Sequence, residues 1–286
     1  MVRFVLDALE ALPLTRVVVV VGHGGDRIVK ELQDTKPVTD LVEQRTQRGT
    51  GDAVLAALAA FANDDLDPGR EADDVLIVPA NLPLIRAETV AEFVEAHRRS
   101  GSAATMMTTS SDDPGPRMRA VRGGRDGGVV RVLDHRDLVD DDHDIDEIVS
   151  GVWLFRRSLL APALRRVSPD NAAGEIHLAG AIEVLVATGH SVSTHETLAA
   201  ADEVSGINDR IQLAAAEAEL RRRTNAAWLA RGVTMLDPDH TYIDVTVELA
   251  PDVTLYPGTI LQGSTTVGEG SEIGPDTRLV DCRIGS

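Results

Sequence analysis

The sequence predicts an α/β domain with a doubly wound, mostly parallel sheet, followed by the start of a left-handed parallel β-helix. Three observations lead there. Apolar runs of strand length alternate with stretches of helical spacing from Val17 to about Val204. A single long helical stretch follows. After Tyr242 the hydrophobic period changes to six.

The strands come first. Val17 to Val21, Val75 to Val78, Ala103 to Thr109 and Val152 to Phe155 are continuous apolar or β-branched runs, the pattern of strands buried on both faces. Asp52 to Ala62, Ala87 to Arg99 and Ala179 to Ala187 carry helical spacing between them. Such alternation builds a sheet covered by helices, whose ligands sit beyond the carboxyl ends of the strands. Ile211 to Gly232 reads as one amphipathic helix, with Leu213, Leu220, Trp228 and Leu229 as packing positions and Arg221, Arg222 and Arg223 on the wet side. Aliphatic residues then recur every sixth position, at Ile243, Leu249, Leu255, Leu261, Val267, Ile273 and Leu279, with glycines between them. In a left-handed β-helix of hexapeptide repeats, roughly 18 residues make one coil of three short strands. The expected division is 1–204 for the α/β domain, 205–232 for a linking helix and 233–286 for a partial β-helix.

Composition narrows the class of function. Hydrophobic residues make up 43% and charged residues 26% of the 286, with no apolar run long enough to span a bilayer. The first residues, amphipathic and partly acidic, do not read as a signal peptide, so a cytoplasmic setting and no membrane partner are expected. A net charge of −18 argues against nucleic acid, which is bound through clustered Lys and Arg. The one cysteine, Cys282, excludes an internal disulfide or a thiolate metal cluster. The acidic run from Asp137 to Asp146 lacks the glycine that a calcium loop needs at its turn, and reads as a solvated loop. Val21-Gly22-His23-Gly24-Gly25 resembles a dinucleotide loop, but Arg27 stands where the third glycine would be.

Local patterns carry a more specific resemblance. Gln44-Arg45-Thr46-Gln47-Arg48-Gly49-Thr50-Gly51-Asp52-Ala53 is similar to a Gln-x-x-x-x-Gly-Thr-Gly-His-Ala loop, and Asn81-Leu82-Pro83-Leu84-Ile85 to Asp-x-Pro-Leu-Ile. Gly206-Ile207-Asn208-Asp209-Arg210 resembles Gly-Val-Asn-Asp-Arg, and Asn171-Ala172-Ala173-Gly174-Glu175 resembles Asn-Ala-Gln-Gly-Glu. Together they mark the chain as resembling the nucleotidyltransferase (Rossmann-like) half of the bacterial bifunctional N-acetylglucosamine-1-phosphate uridylyltransferases/glucosamine-1-phosphate acetyltransferases, the actinobacterial ones in particular. The resemblance implies transfer of uridylyl from UTP to N-acetylglucosamine-1-phosphate, giving UDP-N-acetylglucosamine for cell-wall synthesis, with Mg²⁺ as cofactor. A homotrimer held by the β-helix is the implied assembly.

Residue by residue, the resemblance assigns Gln44, Gly49 and Thr50 to the base, where glycine lets backbone approach a flat ring and a carboxamide with a hydroxyl matches its polar edge. It assigns Asn81 and Asn208 to the metal and Asp134, Met118 and Val149 to the sugar. Several of these depart from the family pattern. Asn81 replaces the metal-binding aspartate and supplies no charge to a cation that favours carboxylates. Asp134 is one methylene shorter than the family's glutamate, Met118 stands at a glycine, and Val149 replaces an asparagine that bonds the sugar, at a cost of about 1 to 3 kcal/mol. The family's Leu-x-x-Gly-x-Gly-Thr-Arg-Met loop, which holds the triphosphate, precedes the part that Met1 to Leu9 resembles, and without its strand the sheet should show a break. The expectation is little or no turnover by this polypeptide and no acetyl transfer. A non-catalytic sugar-nucleotide-binding or trimerising module, or a fragment of the bifunctional enzyme, is the alternative.

Overall fold

The computed structural model describes residues 1–22, 25, 28, 30, 32, 39–61, 73–111, 115–123, 127–139, 142, 144–171 and 174–285. They fall into two compact units, Met1–Gly206 and Ile207–Ser286. His23, Gly24, Arg27 and the pattern residues 112–114, 172 and 173 lie outside the described residues.

In the first unit, helix α1 (Val2–Glu10) buries Val5, Leu6, Ala8 and Leu9 along one face, as its spacing requires. Strands β1 (Val17–Val21) and β2 (Thr39–Glu43) pair in parallel, Val17 opposite Thr39 and Val21 opposite Glu43. After them come α2 (Thr50–Ala60), β3 (Asp74–Ile77), α3 (Ala87–Ser100), β4 (Ala104–Ser110), β5 (Met118–Gly123), β6 (Gly128–Leu133), β7 (Glu147–Arg156), α4 (Arg157–Leu164), α5 (Gly180–Ala187) and β8 (Val192–Glu196).

The larger sheet has the order β6-β5-β7-β4-β8, and β3 also pairs with β7. Strand β7 is its spine. One edge of β7 pairs with β4, while the other is shared, with β5 at Ile148 and Val149 and β3 from Trp153 to Arg156. Gly151 lies between the two shared stretches at φ 86°, where the ladder to β4 shifts register. Side chains alternate across β7, so Trp153 and Phe155 enter one core with Leu160 and Ile182, while Val152 and Leu154 enter another with Val5, Phe93 and Met107.

The α/β class holds, but the larger sheet is mixed where the sequence predicted mostly parallel. β3, β4 and β5 all run antiparallel to β7, β5 and β6 form an antiparallel pair, and β8 is parallel to β4. An apolar run reports burial on both faces and carries no direction. The short connection from β5 to β6 closes only an antiparallel pair, since a parallel return needs a crossover of a dozen or more residues. Among the described residues, β1 and β2 are hydrogen-bonded to each other and to no strand of the larger sheet.

The second unit opens with α6 (Arg210–Ala230), and nine short strands follow: β9 (Thr234–Met235), β10 (Tyr242–Ile243), β11 (Glu248–Leu249), β12 (Thr254–Leu255), β13 (Ile260–Gln262), β14 (Thr266–Val267), β15 (Glu272–Ile273), β16 (Arg278–Val280) and β17 (Arg283–Ile284). They stack into three parallel ladders, β10-β13-β16, β11-β14-β17 and β9-β12-β15, the start of a β-helix. Ile243 faces Leu261 and Leu261 faces Leu279 in one ladder, Leu249 faces Val267 in the next, and Leu255 faces Ile273 in the third. These aliphatics form the unit's core. Asn225 of α6, itself buried, donates its amide to the carbonyls of Pro238 (2.7 Å) and Thr241 (2.9 Å) and so ties the helix to the coils. Leu229, read as a packing position, is 41% exposed, and Ala216 and Asn225 are the helix's buried residues.

Candidate functional site

Residues 44 to 53 form a compact loop at the N-terminus of α2. Gln44 leaves β2, its backbone N–H bonded to the Val21 carbonyl at 2.8 Å. Its side-chain amide donates twice, to the Gly49 carbonyl at 3.1 Å and to the Asp52 carboxylate at 2.8 Å. Gly49 takes φ +103°, a conformation that L side chains rarely adopt, and a Cβ there would stand 2.6 Å from the Ile176 carbonyl oxygen. At Gly51 a Cβ would meet Ile176 at 2.9 Å.

The two glycines let the loop close onto the segment from Glu175 to Leu178. Ile176 donates to the Arg48 carbonyl at 2.7 Å, Gly51 donates to the Ile176 carbonyl at 2.8 Å, and the Thr50 hydroxyl accepts the Leu178 N–H at 3.0 Å. That segment is anchored in turn by Asn171, whose amide donates to the Glu175 carbonyl at 2.6 Å. The loop 44–53 and the stretch held by Asn171, Glu175 and Ile176, far apart in sequence, therefore make one structure. Gln44, Gly49 and Thr50 are brought together, Gln44 half-buried and Thr50 exposed with its hydroxyl holding the Leu178 backbone.

Asn81 follows β3, half-buried, with Leu82 to Ile85 buried behind it. A Cβ on Gly206 would stand 2.9 Å from the Asn81 amide nitrogen and 3.3 Å from its oxygen, so that glycine makes room for the carboxamide. The sequence just before Gly206 is pinned by Glu203. This buried carboxylate accepts the Arg86 N–H at 3.3 Å, the Thr89 hydroxyl, and the Arg86 guanidinium at 3.2 Å, all at the start of α3. Asn208 belongs to the second unit and is exposed. It is not the cap of α6: Asp209 is, accepting the Gln212 N–H at 2.8 Å, while Asn208 donates its own N–H to the Gln212 side chain at 2.7 Å.

These donors do not fit a tightly held Mg²⁺. Asn81 offers a neutral oxygen where a carboxylate would supply both an oxygen and a charge. Hard divalent cations draw most of their binding energy from carboxylates.

The three residues assigned to the sugar are placed differently from one another. Val149 is buried in the core of the larger sheet, and Met118, its ladder partner, packs against the same core. The Met118 methyl would lie 3.9 Å from a Cβ at Gly151. Asp134 ends β6 as the cap of a short turn, and its carboxylate accepts the Arg136 N–H at 3.1 Å and the Arg136 guanidinium at 2.8 Å. Burial pushes the Asp134 carboxyl upward, but the Arg136 hydrogen bonds outweigh it and hold the group below its ordinary value. Arg136, Asp52 and Glu203 are the residues that the sequence reading missed. No spacing announces Arg136 or Glu203, since each acts on a group that folding brings to it. Asp52 was visible only as a carboxylate in the first turn of α2.

The chain resembles known proteins over all of its length. Residues 1–185 match the MobA-like NTP transferase domain. The chain is 35% identical over 286 residues to the bifunctional protein GlmU of Halalkalibacterium halodurans, with 100% of this chain and 60% of that protein covered. To the protein of the same name from Streptomyces avermitilis it is 37% identical over 288 residues, covering 100% of this chain and 58% of the relative. Among solved structures, 4-diphosphocytidyl-2C-methyl-D-erythritol synthase from Anaerococcus prevotii superposes with a TM-score of 0.53 at 16% identity, over 77% of this chain and 86% of that one. A UDP-glucose pyrophosphorylase complexed with UDP-glucose gives 0.50 at 12% identity, over 67% and 76%. The two structures speak for the fold alone. With its first unit matched by the family's domain and its whole length similar to the GlmU proteins, of which it spans about 60%, the chain belongs to the MobA-like NTP transferase family.

Proposed function

We propose that the first unit is a uridine-nucleotide-binding nucleotidyltransferase domain, with UTP and N-acetylglucosamine-1-phosphate as substrates and UDP-N-acetylglucosamine as product. The observation that supports it best is the loop of Gln44, Gly49 and Thr50, closed against residues 175–178 through glycines at which an added Cβ would come within 3 Å of Ile176. A loop held this firmly is pre-organised for a flat base. Here Gln44, Gly49 and Thr50 take the base, Asp134 the sugar and Asn81 the neighbourhood of the phosphates.

In this reaction class an oxygen of the sugar phosphate attacks the α-phosphorus of UTP, a P–O bond forms, the bond to the β-phosphate breaks, and pyrophosphate leaves. Catalysis rests on positioning and on neutralising charge. A bound Mg²⁺ would supply the neutralisation, but the neutral carboxamide of Asn81 suits it poorly. Turnover by this polypeptide is therefore slow. The β-helix of the second unit is the trimerising element in the same reading, and the substrates are those of a cytoplasmic enzyme.

Pyrophosphate release from UTP with N-acetylglucosamine-1-phosphate tests the proposal. Slow release that needs both substrates and fails with CTP agrees with it. Release that proceeds equally with CTP would remove the uridine reading. Light scattering on the purified chain tests the trimer, which a monomeric mass would rule out.

A further inference from the structure

The Gln44 carboxamide has two orientations, and its surroundings permit one. Its nitrogen lies 3.1 Å from the Gly49 carbonyl and 2.8 Å from the Asp52 carboxylate, so both N–H groups are engaged by acceptors. Turning the amide over would place its oxygen against two other oxygens, one of them charged. A carboxylate has no hydrogen to offer in return. Asp52 also sits in the first turn of α2, where the helix N-terminus favours a negative charge and keeps the carboxylate in place.

We infer that Asp52 is a positioning residue that fixes Gln44 with its oxygen outward, so that the site accepts a base with a ring N–H and rejects one with a ring acceptor. The inference rests on the proposal that Gln44 faces the base. With both donors spent on the protein, Gln44 presents an acceptor only. The N3–H of uracil or thymine meets it, whereas N3 of cytosine is itself an acceptor and is repelled. Selectivity of this kind comes from leaving the wrong ligand's polar group unpaired. Where the family pattern has His, this chain carries a group that can only accept.

The test compares binding of UTP and CTP to the full chain by calorimetry, in wild type, Asp52→Ala and Asp52→Glu. Wild type binds UTP in preference. In Asp52→Ala the amide is held by Gly49 alone, and the UTP-over-CTP ratio falls by about fivefold, the value of one net hydrogen bond. Asp52→Glu keeps the charge and restores the ratio. Circular dichroism and melting temperature separate this from simple loss of fold. The Gln44 side-chain amide signals in an NMR spectrum of the ligand-free protein provide an independent reading, moving in Asp52→Ala and returning in Asp52→Glu. If Asp52→Ala binds with an unchanged ratio and unmoved Gln44 signals, Asp52 has no positioning role and the base-binding reading survives. If wild type binds neither nucleotide, the base-binding reading fails and this inference fails with it.

Discussion

The amide of Gly51 donates to the carbonyl of Ile176 at 2.8 Å, and this bond joins the loop that opens α2 to a segment more than a hundred residues further on. The join leaves no space for a side chain on either glycine beside Thr50. Gly49→Ala combines a strained φ with a 2.6 Å approach to the Ile176 oxygen, and should lower stability by roughly 3 kcal/mol. Thr50→Val loses only the acceptor for the Leu178 N–H and should cost about 1 kcal/mol. Urea denaturation of the two variants checks the order of the two effects.

Glu203 fastens the end of the first unit to the start of α3. Glu203→Ala leaves the Arg86 N–H and the Thr89 hydroxyl without their acceptor, while the Arg86 guanidinium, half exposed, returns to water. The expected loss is about 2 kcal/mol. Because Glu203 sits three residues before Gly206, hydrogen exchange should also rise around residues 203–206 before it rises in β7.

In α6, Glu219 bonds both Arg222 and Arg223 at 2.7 Å, the first three residues on and the second four. The Arg222 hydrogen bond comes first among the causes that bring its carboxyl down to about 2. A folded-state value below the unfolded one adds stability that is present above about pH 4.5 and is lost as pH falls toward 2. Glu219→Gln should therefore melt below wild type at neutral pH, by an amount typical of exposed pairs, about 0.5 kcal/mol. The gap should close on acidification below pH 4.5. A constant gap from pH 7 to pH 2.5 would show that the ion pairs are not its cause.

The Asp134 carboxylate is engaged by Arg136, which leaves it fewer free acceptor sites for a sugar hydroxyl. Arg136→Ala releases the guanidinium contact while the backbone N–H stays. Affinity for UDP-N-acetylglucosamine should rise a few-fold, with affinity for UDP unchanged, by competition binding.

Some of this was legible in the sequence, for reasons particular residues make plain. The six-residue period located the inward aliphatics because a stacked coil repeats one geometry, and Ile243 through Ile273 are buried in the predicted register. At the last turn the register slips: counting by six from Leu279 reaches Gly285, while the chain places Ile284 opposite Val267. Apolar runs such as Val17–Val21 were equally plain as strands, although only Val21 of that run is buried. Strands β5 and β6 were not, because Arg119, Arg122 and Arg131 interrupt their apolar residues and neither strand alternates cleanly between buried and exposed. The loop that opens α2 was legible from its glycines, Gly49 and Gly51. What holds each site residue, such as Asp52 on Gln44 or Arg136 on Asp134, was not, since those contacts depend on side-chain direction that no spacing encodes.

The most direct test is calorimetric titration of UDP-N-acetylglucosamine into the full chain, with and without Mg²⁺, in wild type and in Asn81→Asp. Binding by wild type that Mg²⁺ changes little, and binding by Asn81→Asp that Mg²⁺ tightens, would agree with a formed nucleotide site whose carboxylate has become a carboxamide. No binding by either protein under either condition would contradict the account.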